Sequence, residues 1–485
     1  VLAASLAVSS IYMSPTVEVQ AAKEEGIVTA KRTFDSNYDA QNAYEGNDLG
    51  CTYTPEKTTF KVWSPLATKV VLCRYEKGNG GSVIEEVEMS KGDRGVWSYT
   101  VTGDIVNTYY TYKVTANNET KEAVDIYAKA VGVNGDRAMV VDLDSTDPEN
   151  WDTNYQREKT KLSDIIVWEI HVRDFSIDVS SGVSEENRGK YKAFTEDTTV
   201  NGEGKIASCV NYLKELGVTH VQLLPMYDYA SVDETKVTTS LGSNYNWGYD
   251  PENYNVPEGS YSSNPYDGNV RITEMKEMIQ ALHDAGIKVV MDVVYNHTYD
   301  TADSNFNKIM PDYYYKINSD LSYNNQSGCG KATRSESAMY RKFMIDSVSY
   351  WAEEYNLDGF RFDLMGLHDL KTMQEVEHAV HAINPHAILY GEGWTMGATI
   401  DGSAQANQSN IAKIVPSEGA IGGVAVFSDV VRDGLKGSVF EKSEGGYING
   451  NAKVNLSKIL FGIRGGKGVG QGWSVEDGMV INYMS

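Results

Sequence analysis

From Trp151 onward the chain repeats one unit: an amphipathic helix, a glycine or turn, and a short apolar strand that ends in polar residues. This repetition constrains the fold more than any other feature of the sequence. The strands read as residues 165–170, 219–225, 287–294, 359–364, 388–394, 424–428 and 479–485. Between the second and third, Ile272, Met275, Ile279 and Leu282 share one face of a helix over 272–285, and Gly286 closes it. A second helix, over 339–355, precedes the fourth strand in the same way. Near-continuous apolar strands joined by helices imply a parallel sheet covered on both sides.

The strand ends carry Asp292, Asn296 and His297 on the third, Arg361 and Asp363 on the fourth and Glu392 on the fifth. The C-terminal rim of a (β/α)8 TIM barrel is where side chains from different strands converge, so the predicted class is α/β, a barrel. Seven strands do not close it, and the eighth is expected beyond Ser485. Ahead of the barrel, residues 34–145 alternate with period two between turn residues, as in Thr59-Phe-Lys-Val-Trp63 and Tyr109-Tyr-Thr-Tyr-Lys-Val114. They read as an all-β sandwich, with Trp63 and Trp97 in its core. The catalytic barrel takes residues 146–485.

Composition narrows the ligand. With 43 basic and 67 acidic side chains, the formal charge is −24, which disfavours nucleic acid and anionic membranes. No later run of about 20 apolar residues offers a membrane span. Four scattered cysteines suggest neither a disulfide framework nor a zinc site. The 32 tyrosines and 8 tryptophans suit a ligand with apolar CH faces and hydroxyl edges, a sugar. Seven tyrosines fall within 226–270, a segment too long for a mere connector and read as a wall of the cleft.

Asp363 and Glu392, on neighbouring strand ends and flanked by apolar sequence, form a pair whose pKa values can be pushed apart. Arg361 lies two residues before Asp363, on the same strand face, and would hold that carboxylate anionic. Trp394 is either a stacking platform for sugar or a rim-packing residue.

Asp292-Val-Val-Tyr-Asn-His297, Gly359-Phe-Arg-Phe-Asp-Leu364 and Gly391-Glu-Gly-Trp394 resemble, in that order, the signature regions of the α-amylase clan, glycoside hydrolase family 13. Tyr245-Asn-Trp-Gly-Tyr-Asp-Pro251 resembles the signature of its starch-debranching group, the type I pullulanases. The sandwich is similar to the family 48 carbohydrate-binding module usual there. The resemblance implies a retaining α-1,6-glucan hydrolase, with Asp363 as nucleophile and Glu392 as general acid/base. It also implies Tyr249 stacked on the sugar being cleaved, Asp292 and His297 on its hydroxyls, and Arg361 orienting the nucleophile. Asn246 and Asp250 enter the substrate-binding set with the same motif. The expected partner is an α-glucan such as pullulan or amylopectin. The alternatives are an α-1,4-acting or chain-transferring member of the clan, and a non-catalytic starch-binding protein.

No cofactor is needed for this chemistry. Calcium, common in the family, stays open without nameable ligands, because Asp300, Asp303 and Asp312 serve equally well as solvated loop acids. The family's third carboxylate, an Asp in a His-Asp pair after the seventh strand, and its C-terminal β-domain are expected past Ser485, so the chain reads as a fragment, inactive alone. Residues 1–22 read as the remnant of a secretion signal ending near Val19-Gln-Ala21, with 23–33 a linker, and the protein is expected outside the cell. Oligomeric state is not legible.

Overall fold

The computed structural model describes residues 34–483, apart from 154, 156–157, 201–205, 241–243, 398, 442 and 467–477. The expected signal remnant and linker, and the last two residues of the seventh predicted strand, lie outside the described residues.

Alternating inward residues build the sandwich. Phe60 and Val62 from one sheet meet Val70, Leu72, Tyr110 and Tyr112 from the other, all at most 3% exposed. One sheet runs Gly50–Thr54, Lys57–Trp63, Val96–Thr102, Ser90–Lys91. The other runs Val83–Glu88, Lys69–Tyr75, Tyr109–Ala116, Glu119–Ala123. Trp63 and Trp97 are buried, and their indole N–H groups donate to the carbonyls of Asn42 and Ser64 at 2.8 and 3.0 Å. Both therefore serve the core, as the alternation predicts.

The barrel strands are Val167–Ile170, His220–Leu223, Lys288–Val293, Gly359–Phe362, Ile388–Gly391, Val424–Phe427 and Val480–Ile481. They pair in chain order, every pair parallel, as one curled seven-stranded sheet. Among the described residues the first and seventh strands have no neighbour on their outer edges. Side-chain alternation sorts the sheet into two faces. Val290, Ile388, Tyr390 and Ala425 form a small cluster inside the curl, with Val167, Phe427 and Ile481 against it. The larger core lies between strands and helices, where Ile272, Met275, Ile279 and Leu282 of the predicted helix are wholly buried. That helix, Gly268–Asp284, starts at Asp267, whose side chain accepts the Asn269 N–H at 3.0 Å, and is followed by Gly286 at φ 78°.

Sandwich and barrel share contacts. The Asp39 carboxylate accepts the N–H of Ala338, the first residue of helix Ala338–Glu354, at 3.0 Å, whereas the helix's own Ser337 gives no side-chain cap. Ser64 Oγ donates to the Ile309 carbonyl at 2.6 Å. No helix among the described residues is long and apolar enough to cross a membrane.

Candidate active site

Parallel register places the site. Asp292 lies opposite Arg361, and Arg361 opposite Tyr390, so the third, fourth and fifth strands present their inward side chains to one point. Arg361 is the centre of it. Its Nη1 donates to Asp292 Oδ1 at 3.0 Å and to Asp363 Oδ1 at 2.8 Å, while Nη2 lies 2.8 Å from Glu392 Oε1. One guanidinium thus holds three carboxylates, each on a residue less than a tenth exposed.

The second oxygens are fixed by other groups. Asn296 Nδ2 donates to Asp363 Oδ2 at 2.9 Å and also to the Asp363 carbonyl at 3.0 Å. Asp292 Oδ2 accepts the Tyr249 hydroxyl at 2.7 Å. Glu392 Oε2 accepts the Leu364 backbone N–H at 3.1 Å. That N–H reaches it because Leu364 turns the chain through a left-handed φ of 42° directly after Asp363. His297 is tied between Asn296 Oδ1, 2.7 Å from Nδ1, and the Tyr249 carbonyl, 2.8 Å from Nε2.

Charge follows from this crowding. Burial pushes the Glu392 carboxyl above its usual value; Arg361 opposes that rise and the neighbouring Asp363 charge adds to it. Burial likewise drives Asp292 well up, against the pull of Arg361. With one cation among three carboxylates, the site favours keeping a proton on one of them.

The structure gathers Asp292, His297, Arg361, Asp363, Glu392 and Tyr249 into one cluster. Asn246 and Asp250 stand in the adjoining loop and spend their side chains on its shape. Asn246 Nδ2 donates to Asp250 Oδ1 at 3.0 Å, Asn246 Oδ1 accepts the Gly248 N–H at 2.8 Å, and Asp250 Oδ2 accepts the Ser231 N–H at 2.9 Å. Trp394 is half-buried, two residues after Glu392.

Sequence reasoning gave Asn296 no role, although it stands beside His297. It also missed Cys329, whose Sγ lies 3.8 Å from His297 Nδ1. That contact depends on the antiparallel pairing of His297–Thr298 with the distant Lys331–Ala332, which no local pattern announces.

For a metal, the carboxylates that lie close together are Asp228, Glu234 and Glu258, not the loop acids Asp300, Asp303 and Asp312. Arg271 already fills the cation's place there, with Nη1 3.1 Å from Asp228 and Nη2 3.0 Å from Glu234. The donor set does not fit a calcium ion beside that guanidinium.

Comparison with known proteins agrees with this architecture. The model of carbohydrate-binding module 48 (isoamylase N-terminal domain) matches residues 48–128, and that of the α-amylase catalytic domain matches residues 191–328. The chain is 38% identical to a pullulanase of Bacillus subtilis over 465 residues, covering 95% of this chain and 60% of that protein. It is 32% identical to pullulanase A of Streptococcus pneumoniae over 454 residues, 88% of this chain and 33% of the relative. A crystal structure of a Paenibacillus barengoltzii pullulanase variant complexed with maltotriose superposes with a TM-score of 0.87 at 39% identity, covering 94% of this chain and 70% of that one. The pullulanase from Bacillus acidopullulyticus gives 0.82 at 43%, covering 88% and 51%. The chain therefore spans less than two thirds of the two curated relatives named here.

Proposed function

Because the chain belongs to the pullulanases of the α-amylase family, we propose that the protein of which it is part hydrolyses α-1,6-glucosidic linkages in pullulan, amylopectin and related branched α-glucans. The observation that carries this is the guanidinium of Arg361 shared by Asp363 and Glu392, each at 2.8 Å.

In the proposed reaction the Asp363 carboxylate attacks the anomeric carbon while the bond to the leaving glycosidic oxygen breaks. Glu392 gives its proton to that oxygen. The same Glu392 then takes a proton from water, whose oxygen attacks the anomeric carbon and frees Asp363. Configuration is retained after two inversions, and the carboxyl groups need no cofactor. A retaining pair stands about 5 to 5.5 Å apart, against about 6.5 to 9.5 Å for an inverting one. Two carboxylates gripping one guanidinium support the closer arrangement. The rise in the Glu392 pKa supports its role as the acid, and Asn296 and Arg361 aim both oxygens of the nucleophile.

Asp292, His297 and Tyr249 would bind the sugar at the point of cleavage. The α-glucan assignment draws on relatives crystallised with maltotriose and with maltohexaose and α-cyclodextrin. We place the protein outside the cell on the strength of residues 1–22; secretion of a reporter fused behind them tests this.

Product analysis of the full-length protein on pullulan decides the linkage. Maltotriose as the sole product is expected. Panose, or shortening of amylose, would contradict the reading and favour an α-1,4-acting or chain-transferring enzyme.

A further inference from the structure

In a chain with a net charge of −24, a recess of about 60 Å³ beside the end of the first barrel strand is lined by Arg173, Arg188 and Lys190 and, among the described residues, by no carboxylate. Gly189 brings the first two together, since a Cβ placed on it would lie 3.2 Å from Arg173 Cγ. Thr238, Thr239 and Asn244 also line it.

These cations are poorly neutralised. The Arg173 side chain, 6% exposed, donates through Nη2 to the Ser240 carbonyl at 2.8 Å, and its Nη1 is 3.6 Å from Asp174, which is 45% exposed. The Arg188 side chain is 11% exposed; its Nη2 lies 3.9 Å from the largely solvated Glu185, and its Nε is buried with no hydrogen-bond partner among the described residues. Lys190 has no ion pair among the described residues. One buried and one half-buried guanidinium with a half-buried ammonium around one recess repel each other and leave the Arg188 Nε donor unsatisfied among the described residues, a costly arrangement unless an anion completes it.

We propose that this recess binds a phosphate-class tetrahedral oxyanion, either free phosphate or the phosphoryl group of a phosphorylated sugar. The guanidiniums of Arg173 and Arg188 and the ammonium of Lys190 supply the charge that such an anion needs, and the Thr239 hydroxyl and Asn244 amide line the same recess. The volume admits a five-atom oxyanion. Occupancy would tie the segment around Arg173 to the stretch before Tyr245, because the Thr238 N–H already donates to Asn244 Oδ1 at 3.1 Å and His171 Nε2 lies 2.6 Å from the Asn246 carbonyl.

The test is calorimetric titration of the full-length protein with inorganic phosphate and, separately, with glucose 6-phosphate, at constant ionic strength set by sodium chloride. Saturable one-to-one binding is expected, weakened at least tenfold in Arg188→Gln and in Lys190→Gln while maltotriose affinity is unchanged. Tighter binding of glucose 6-phosphate identifies a phosphoryl sugar as the ligand; equal or weaker binding identifies the free anion. Absence of saturable binding by either probe, or affinity unchanged in both variants, would overturn the proposal. Lys190 is only half-buried, so its variant keeps the test valid should Arg188→Gln fail to fold.

Discussion

Arg361 serves three carboxylates with one guanidinium, and the consequences separate by residue. Replacing Glu392 by Gln removes the proton donor, and kcat on pullulan should fall by roughly 10²- to 10⁴-fold; Asp363→Asn should cost at least as much. Asn296→Ala leaves Asp363 Oδ2 without its 2.9 Å donor. We expect a loss of about 1 to 2 kcal/mol of transition-state stabilisation, read as a fall in kcat with KM little changed. The pH profile carries a sign. Glu392 must be protonated to act, so activity declines as pH rises through its raised pKa. Arg361 is what holds that value down, so Arg361→Gln should move the falling limb to higher pH while lowering kcat. A limb moving to lower pH would mean that another group is the acid. At this scale the sequence was informative where a residue's position follows from its strand, as for Asp363, Glu392 and Arg361, which meet at one point. Asn246 and Asp250 came from a motif alone, and their side chains hold the loop in shape.

At the scale of elements, all seven barrel strands were legible as apolar runs, but most came out shorter than read. The first strand begins at Val167 rather than residue 165, and the fifth ends at Gly391 rather than 394. Polar rim residues continue an extended pattern after ladder pairing has stopped, so periodicity overruns the hydrogen bonds. In the sandwich, the strands Val83–Glu88 and Glu119–Ala123 escaped notice because they are edge strands in which charged residues interrupt the apolar alternation. The hairpin Tyr227–Tyr229 with Pro251–Pro257 joins partners far apart in sequence, which no local pattern encodes.

Beside that hairpin lies the buried group of Asp228, Glu234, Glu258 and Arg271. Arg271→Met would leave buried carboxylates unpaired, and we expect about 3 to 5 kcal/mol of lost stability in urea unfolding. Glu258 is pushed up to about 8 by burial and the neighbouring Glu234 charge. Its folded pKa lies above the unfolded value of about 4.3, so its contribution is complete below that pH and is lost as pH rises through about 8. Glu258→Gln should therefore flatten the decline of Tm across that window; an unchanged slope would assign the decline to other groups.

Across the whole molecule, the sandwich is bound into the barrel rather than merely tethered to it. Asp39 caps a barrel helix that lacks its own side-chain cap, so Asp39→Ala should lower the stability of the barrel by about 1 kcal/mol, with a single unfolding transition retained. The fold class was readable because period two gives way to a helical period near Trp151, although the buried apolar residues of the two parts join in one continuous core. How the domains meet was not readable, since the contacts of Asp39 with Ala338 and Ser64 with Ile309 span some 250 to 300 residues. In the proposed reaction Asp363 and Glu392 cleave the α-1,6 bond with retention. The measurement that reaches it most directly is proton NMR of the anomeric centre during early hydrolysis of pullulan by the full-length protein, beside Asp363→Asn and Glu392→Gln. Maltotriose should be released first as the α-anomer, and only by the unsubstituted protein; release of the β-anomer, or undiminished release by either variant, would contradict a retaining mechanism at these two residues.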